Sequence, residues 1–504
     1  MTINRDSVRS ARLRAFLACL TVGLAVSAAD ASAAWTPPFE TGFNQSPGTA
    51  FEGTQAPSGF SRVADTGATV LKLYLDWRVV AGEVRPENPA DPADPAYDWT
   101  VFDELMRNTV AAGLKPLVRI ANAPDWGTTP RNPSTPPEVI WTHPFPVELG
   151  LFAKAAATRY NGDFDPDPGD PYAETLPRAR LWQIWNEPNQ YRFLYPQRVN
   201  GQPVGITHYR SMVNQVAAGV KSVSTANLVF AGGTSPFKKV QNTAPLEFLR
   251  ILVCLNTNLT PKKNCGPVRF DLWGTHPYTS GNPTRKAAQK GDVSIGDLPA
   301  VRKLLNAGLK HRKITAAGGK VKFWVDEFSW DTKPPDPAAI PAALHKRWVA
   351  EGMYRMWTAG VTMVAWLQLA DNKYTGACGD PYQSGFYYFN SNIAQAKVKP
   401  SIVAFRFPFV AIPERTSLRI WGRTRTSDPG KVVIQRRTSS GWRNIANVTA
   451  HSNGIFASRF KTPWTSGWMR AVFKGKASPA FEIKRSVDQF YNPFGQRPPA
   501  GGCS

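Results

Sequence analysis

Two glutamates, Glu187 and Glu327, each stand where an apolar run stops beside a tryptophan. Glu187 sits in Trp185-Asn186-Glu187-Pro188-Asn189, at the end of the apolar run 180–185. A short run of large apolar residues reads as a buried strand, and Pro188 forbids its continuation in a central strand. About 140 residues later, residues 321–325 are again strand-like and end in Asp326-Glu327-Phe328-Ser329-Trp330. Two carboxyl groups at strand ends suit the cleavage of a glycosidic bond. One would protonate the departing sugar oxygen, and the other would attack the anomeric carbon or activate water there.

Behind these residues the chain alternates strand-like and helix-like segments. Residues 39–43, 70–75, 114–120, 180–185, 228–232, 270–275, 321–325 and 361–366 read as short strands, and 99–112, 146–160 and 208–222 as helices between them. Such alternation predicts an α/β fold with a parallel sheet. We expect a (β/α)8 TIM barrel over residues 35–410, a small all-β sandwich over 411–485 and a Pro/Gly-rich tail over 486–504. In a barrel the C-terminal strand ends form the active-site rim, so both glutamates would face one mouth. The irregular segments 82–98, 121–143, 190–203 and 371–390 follow strands and would wall that mouth. Segment 161–176 precedes strand four and belongs on the opposite face. Its Asp163, Asp165, Asp167 and Asp170 invite a calcium reading, but Pro168 stands where an EF-hand loop needs glycine, which favours a solvated acidic loop.

The Asn-Glu-Pro at strand four and the lone glutamate at strand seven resemble the signature of clan A glycoside hydrolases, the retaining β/α-barrel glycosidases that include families 5 and 39. The resemblance spans residues 39–409 or so and lies nearest family 39 or a relative of family 5. It implies Glu187 as acid/base and Glu327 as nucleophile, with no metal and no cofactor. It also implies that Asn186 holds the sugar 2-hydroxyl, that His276 and Tyr278 border the nucleophile, and that Trp366 floors the subsite of the cleaved sugar. A tyrosine hydroxyl donating to Glu327 would hold that carboxylate ionised. Strand two departs from the pattern, because Lys72 stands where many members carry arginine. Lysine cannot reproduce a planar two-pronged hydrogen bond, so Arg78 is expected to take over that contact. Trp77, Trp126 and Trp330 are candidate platforms for stacking sugar rings.

The expected activity is double-displacement hydrolysis of O-glycosidic bonds in a polysaccharide or oligosaccharide. One alternative is an exo-acting enzyme of β-xylosidase or α-L-arabinofuranosidase type. Another is an inactive carbohydrate-binding surface protein on the same barrel, which fold alone does not exclude.

Composition sets the compartment and the partners. The chain has 504 residues, 42% of them hydrophobic, enough for a large core. Residues 1–34 read as a secretory signal peptide: Arg5, Arg9, Arg12 and Arg14 precede an apolar stretch and the small-residue site Ala31-Ser32-Ala33. No later stretch approaches the length of a membrane span. A secreted monomer, extracellular or associated with the cell wall, is expected. Cys254 and Cys265 bracket a polar, turn-rich segment and should pair, which leaves Cys378 and Cys503 to pair by elimination. No cysteine spacing resembles paired C-x-x-C zinc ligands.

The formal charge of +23 suits work near anionic material. Nucleic acid, the usual partner at such a charge, finds no recognition motif here. Residues 411–504 hold sixteen Lys or Arg against four Asp or Glu. A module that tethers the chain to an anionic cell-wall or polysaccharide surface, and a passive cap on the barrel, both fit that asymmetry.

Overall fold

A computed structural model describes residues 38–45, 49–170, 173–238, 241–375, 382–462 and 464–491. The expected signal segment, Cys378, Cys503 and most of the tail lie outside the described residues. Eight parallel strands close into a barrel: β1 (Glu40–Asn44), β2 (Val70–Asp76), β3 (Lys115–Ala121), β4 (Leu181–Ile184), β5 (Leu228–Thr234), β6 (Leu272–Thr275), β7 (Lys322–Phe328) and β8 (Val361–Trp366). They neighbour one another in chain order, and β8 pairs back onto β1.

Helices alternate with these strands. α1 (Ala56–Asp65) follows β1, α2 (Trp77–Ala81) and α3 (Thr100–Ala111) follow β2, and α4 (Pro146–Arg159) follows β3. Then come α5 (Val204–Val223), α6 (Pro245–Leu252), α7 (Leu298–Lys310), α8 (Ala342–Thr358) and α9 (Ile402–Arg406), one after each later strand. In α5 the buried positions Ile206, Tyr209, Val213, Val216, Ala217 and Val220 recur at three- and four-residue spacing, which gives the helix one apolar face for the barrel. α4 and α5 pack closely at two glycines, and a Cβ on Gly219 would meet the Gly150 carbonyl oxygen at 2.3 Å.

Strand alternation layers the barrel interior. A lower layer is apolar: Val70, Leu117, Leu181, Phe230, Leu272, Trp324 and Met363. Two residues further along the same strands stand Lys72, Arg119, Gln183, Gly232, Gly274, Asp326 and Ala365. The chain therefore places a polar, charged layer directly beneath the mouth. This layer belongs to the site.

The sandwich has two antiparallel sheets. β9 (Phe409–Pro413), β10 (Ser417–Arg423) and β13 (Ile455–Lys461) form the first. β12 (Gly441–Ala450), β11 (Gly430–Thr438) and β14 (Trp468–Phe473) form the second, extended by short segments at Lys476–Ala477 and Phe481–Glu482. β12 was not foreseen. Ile434 pairs Ala446 and Gln435 pairs Asn444, so Ile445 of β12 is an extra residue, and such a bulge breaks the period-two pattern that marks a strand.

The two units share an apolar seam. Trp421 of β10 is fully buried with its ring against Phe39, Tyr354 and Trp357 of the barrel. Beside it buried Arg423 donates to Thr41 Oγ1 at 3.1 Å. The chain after the sandwich returns to the barrel. Arg285 bonds Asp488, and the Tyr491 hydroxyl accepts from the Asp331 amide at 3.3 Å. Cys254 and Cys265 form the expected disulfide. Among the described residues, no helix is long and apolar enough to cross a membrane, and the acidic loop 161–176 gathers no three-carboxylate cluster.

Candidate active site

Two β-bulges aim the site. Along β7, Val325 pairs Val364 and Phe328 pairs Trp366, so Asp326 and Glu327 together oppose Ala365. Strict alternation would send neighbouring residues to opposite faces, and the extra residue lets both carboxylates turn inward. The strand therefore runs past Val325, where the sequence suggested a stop, and carries Glu327 on its last turnless residues. In β5 the bulge falls at Gly232 and Gly233, with φ of +95° and +62°. A Cβ on Gly233 would lie 2.7 Å from Gln183 Nε2 and 3.1 Å from Asp326 Oδ2, so glycine keeps that space open for the charged layer. Its carbonyl accepts the Glu187 amide at 3.0 Å.

After β4 the chain turns sharply. Trp185 and Glu187 have φ of +67° and +43°. Non-glycine residues held there cost about 1–3 kcal/mol each, and such strain clusters at functional sites. The turn delivers Glu187 to the mouth, where its side chain is only 13% exposed. His276 Nδ1 lies 2.9 Å from Glu187 Oε1, and Gln190 donates to the other carboxylate oxygen. Burial raises the Glu187 pKa and the Glu327 charge adds to this, while His276 and Lys72 act against it.

Glu327 faces the same space. An oxygen of each glutamate and a His276 nitrogen all lie within 4.8 Å of one another. The Tyr278 hydroxyl donates to Glu327 Oε1 at 3.1 Å, and Asn44 Nδ2, at the end of β1, approaches Oε2 at 3.4 Å. Burial and the neighbouring Glu327 carboxylate hold the Tyr278 pKa well above 10, so this hydroxyl keeps its proton and donates.

Beneath the glutamates lies a buried charge network. Asp326 Oδ2 accepts from Gln183 Nε2 at 2.7 Å and Lys72 Nζ at 2.9 Å, with His276 Nε2 at 3.2 Å. Burial alone would raise the Asp326 pKa, but Lys72 and His276 outweigh it and hold the carboxyl well below its usual range. Burial likewise opposes charge on His276, yet Glu327 and Asp326 push its pKa up to about 10. This environment favours the imidazolium, whose two N–H groups face Glu187 and Asp326. Glu187, His276 and Glu327 form the one three-donor group among the described residues with metal-site spacing.

The other sequence candidates divide. Asn186 belongs to the site: its Oδ1 accepts from Arg119 Nη1 at 2.8 Å, and that guanidinium lies 3.7 Å over the Tyr74 ring. Arg119, on β3, therefore brings a guanidinium to the site. Arg78 pairs instead with Asp125 at 3.4 Å and, about half exposed, lines a separate rim cavity of about 380 Å³ with Asn122, Arg131 and Trp141. Trp366 is buried among Phe328, Trp330 and Phe386, with Nε1 donating to the Ser384 carbonyl at 2.6 Å. Trp77 and Trp330 are also fully buried and offer no face to a ligand. Trp126 bridges rim segments, donating to Gly82 O at 3.2 Å and meeting Trp77 edge-on.

Asn44, Arg119, Gln183 and Asp326 were missed from sequence. For Arg119, Gln183 and Asp326 the available signal was a polar residue two positions beyond an inward apolar one, in the midst of strands otherwise fit for burial.

No protein-family model and no curated protein matches the chain. Solved structures resemble its fold. A family 39 glycoside hydrolase from the gut symbiont Bacteroides cellulosilyticus WH2 superposes with a TM-score of 0.48 at 16% identity, covering 84% of this chain and 79% of that one. A GH39 β-xylosidase from Caulobacter crescentus gives 0.47 at 16% identity, covering 84% and 97%. A glucosidase from Croceicoccus marinus gives 0.44 at 11% identity, covering 85% and 97%. Likenesses this distant say nothing of the reaction, which has to be read from the side chains.

Proposed function

We propose that this chain is a secreted retaining glycoside hydrolase acting on a polysaccharide or oligosaccharide. The observation that carries the reading is the facing pair Glu187 and Glu327 in unlike surroundings. Glu187 is pushed toward its protonated form by burial. Glu327 receives donors from Tyr278 and Asn44, which hold its carboxylate facing Glu187. A carboxyl driven to hold its proton suits the acid, which leaves the facing Glu327 as the nucleophile.

Glu327 attacks the anomeric carbon while Glu187 gives its proton to the departing oxygen, which leaves as an alcohol. Water then attacks the glycosyl–enzyme from the same side, Glu187 takes its proton, and Glu327 is released as a carboxylate. One oxygen of each carboxylate lies within 4.8 Å of the other, a close approach that suits retention, where the carboxyl groups stand about 5–5.5 Å apart. Asn186, held by Arg119, is placed to bond the sugar 2-hydroxyl, a contact that strengthens as the oxocarbenium-like state forms.

The test is a screen of polysaccharides and aryl glycosides with the mature chain, with Glu187→Gln as control and NMR of the first-formed anomer. Retention is expected, with hydrolysis lost in the control. Inversion would overturn the mechanism, and hydrolysis unchanged in Glu187→Gln would overturn the site. Export is tested by the amino terminus of protein collected from the medium, expected to follow Ala33 or Ala34.

A further inference from the structure

Strands β12, β11 and β14 lie side by side in the second sheet of the sandwich. Together they carry Lys431, Arg436, Arg437, Arg443 and Arg470 and no acidic residue. Val432, Ile434, Met469 and Ala471 are buried against the inner sheet, so alternation turns Lys431, Gln435 and Arg470 outward. Register sets Gln435 opposite both Asn444 and Arg470, and Arg437 opposite Trp442.

The side chains of this outer face hold one another. Gln435 Nε2 donates to Asn444 Oδ1 at 2.8 Å, and Arg470 Nε donates to Gln435 Oε1 at 2.8 Å. The Arg470 guanidinium also lies 4.3 Å from the Trp442 ring centroid. Ring and amide fix its orientation, while its Nη atoms have no hydrogen-bond partner among the described residues. A fixed guanidinium fork matches a carboxylate with two parallel bonds. Lys431 and Arg437 of β11 and Arg470 of β14 share this outer face, and a row of cations suits a chain of such groups better than one small anion.

We propose that this face binds an acidic polysaccharide, a polymer of uronic acid units whose carboxylates seat on Arg470 and its neighbouring cations. The choice of a glycan over another polyanion rests on the glycosidase reading of the barrel.

The test is affinity electrophoresis of the full mature chain in gels containing polygalacturonate, its methyl ester or double-stranded DNA. Retardation by polygalacturonate alone is expected. Arg470→Gln and Arg470→Lys should each weaken it about tenfold, because lysine keeps the charge but loses the fork. Equal retardation by the neutral ester, stronger retardation by DNA, or Arg470→Lys binding like the wild type would each overturn the site. Melting curves confirm that the variants fold, and aryl-glycoside hydrolysis is read on the same samples. Hydrolysis without polygalacturonate binding condemns this face alone. Binding lost in the Arg470 variants but without hydrolysis in any sample upholds the face and removes the reading of the barrel.

Discussion

Nδ1 of His276 lies 2.9 Å from Oε1 of Glu187, joining a group driven to hold its proton to one driven to gain charge. Burial lifts the pKa of Glu187 and the charge of His276 pulls it down. Without the imidazolium, the acid should hold its proton to higher pH. His276→Gln is therefore expected to move the alkaline limb of the kcat/KM profile upward, while kcat/KM at the optimum falls about tenfold or more because the carboxyl loses an orienting partner. A limb that stays in place or moves down would remove His276 from control of the acid.

Stability should depend on pH through the same ring. His276 is raised to about 10 in the folded chain, above its ordinary value of about 6.5. Its contribution is present in full below about pH 6.5 and is lost as pH rises toward 10. Asp326 runs the other way: its depressed pKa stabilises the fold above about pH 3.9 and is lost only in stronger acid. Melting temperature should thus decline between about pH 6.5 and 10 in the wild type, and this decline should flatten in His276→Gln. Equal slopes in both would refute the linkage.

Lys72 and Asp326 are both fully buried, with Nζ 2.9 Å from Oδ2. Removing one partner strands the other charge away from water. Lys72→Met should cost about 3–5 kcal/mol in chemical denaturation, and adding Asp326→Asn should restore part of it. A loss under about 1 kcal/mol would mean that His276 and Gln183 satisfy Asp326 without the lysine.

Arg119 is a positioning residue for Asn186. Arg119→Lys keeps the charge but loses the planar stack on Tyr74 and the directed bond to Asn186. We expect kcat/KM to drop about tenfold on an ordinary aryl glycoside and much less on its 2-deoxy analogue, where the 2-hydroxyl contact is already gone. Equal losses on both substrates would point to a structural role.

Trp421 couples the two units. Trp421→Ala should cost about 3–5 kcal/mol and lower one shared melting transition. Two transitions, with that of the barrel unmoved, would show that the sandwich packs without supporting it.

The local parts of this architecture were legible in the sequence. Alternating apolar runs announce the eight strands, since burial on both faces demands them. Pro188 and the tryptophans beside Glu187 and Glu327 mark where two of those strands deliver a carboxylate, and Cys254 and Cys265 are near enough in sequence to pair. What only the tertiary structure decided is which side chains converge. Lys72, Arg119, Gln183 and Asp326 come from four separate strands and meet only when the barrel closes. Asp326 and Glu327 share the inner face through a bulge set by pairing with β8, which no period in β7 itself foretells. The tryptophans divide for the same reason. Indole is equally suited to a core and to a sugar platform, and the burial of Trp77, Trp330 and Trp366 depends on neighbours such as Phe152, Trp348 and Phe386 that the fold brings from elsewhere in the chain.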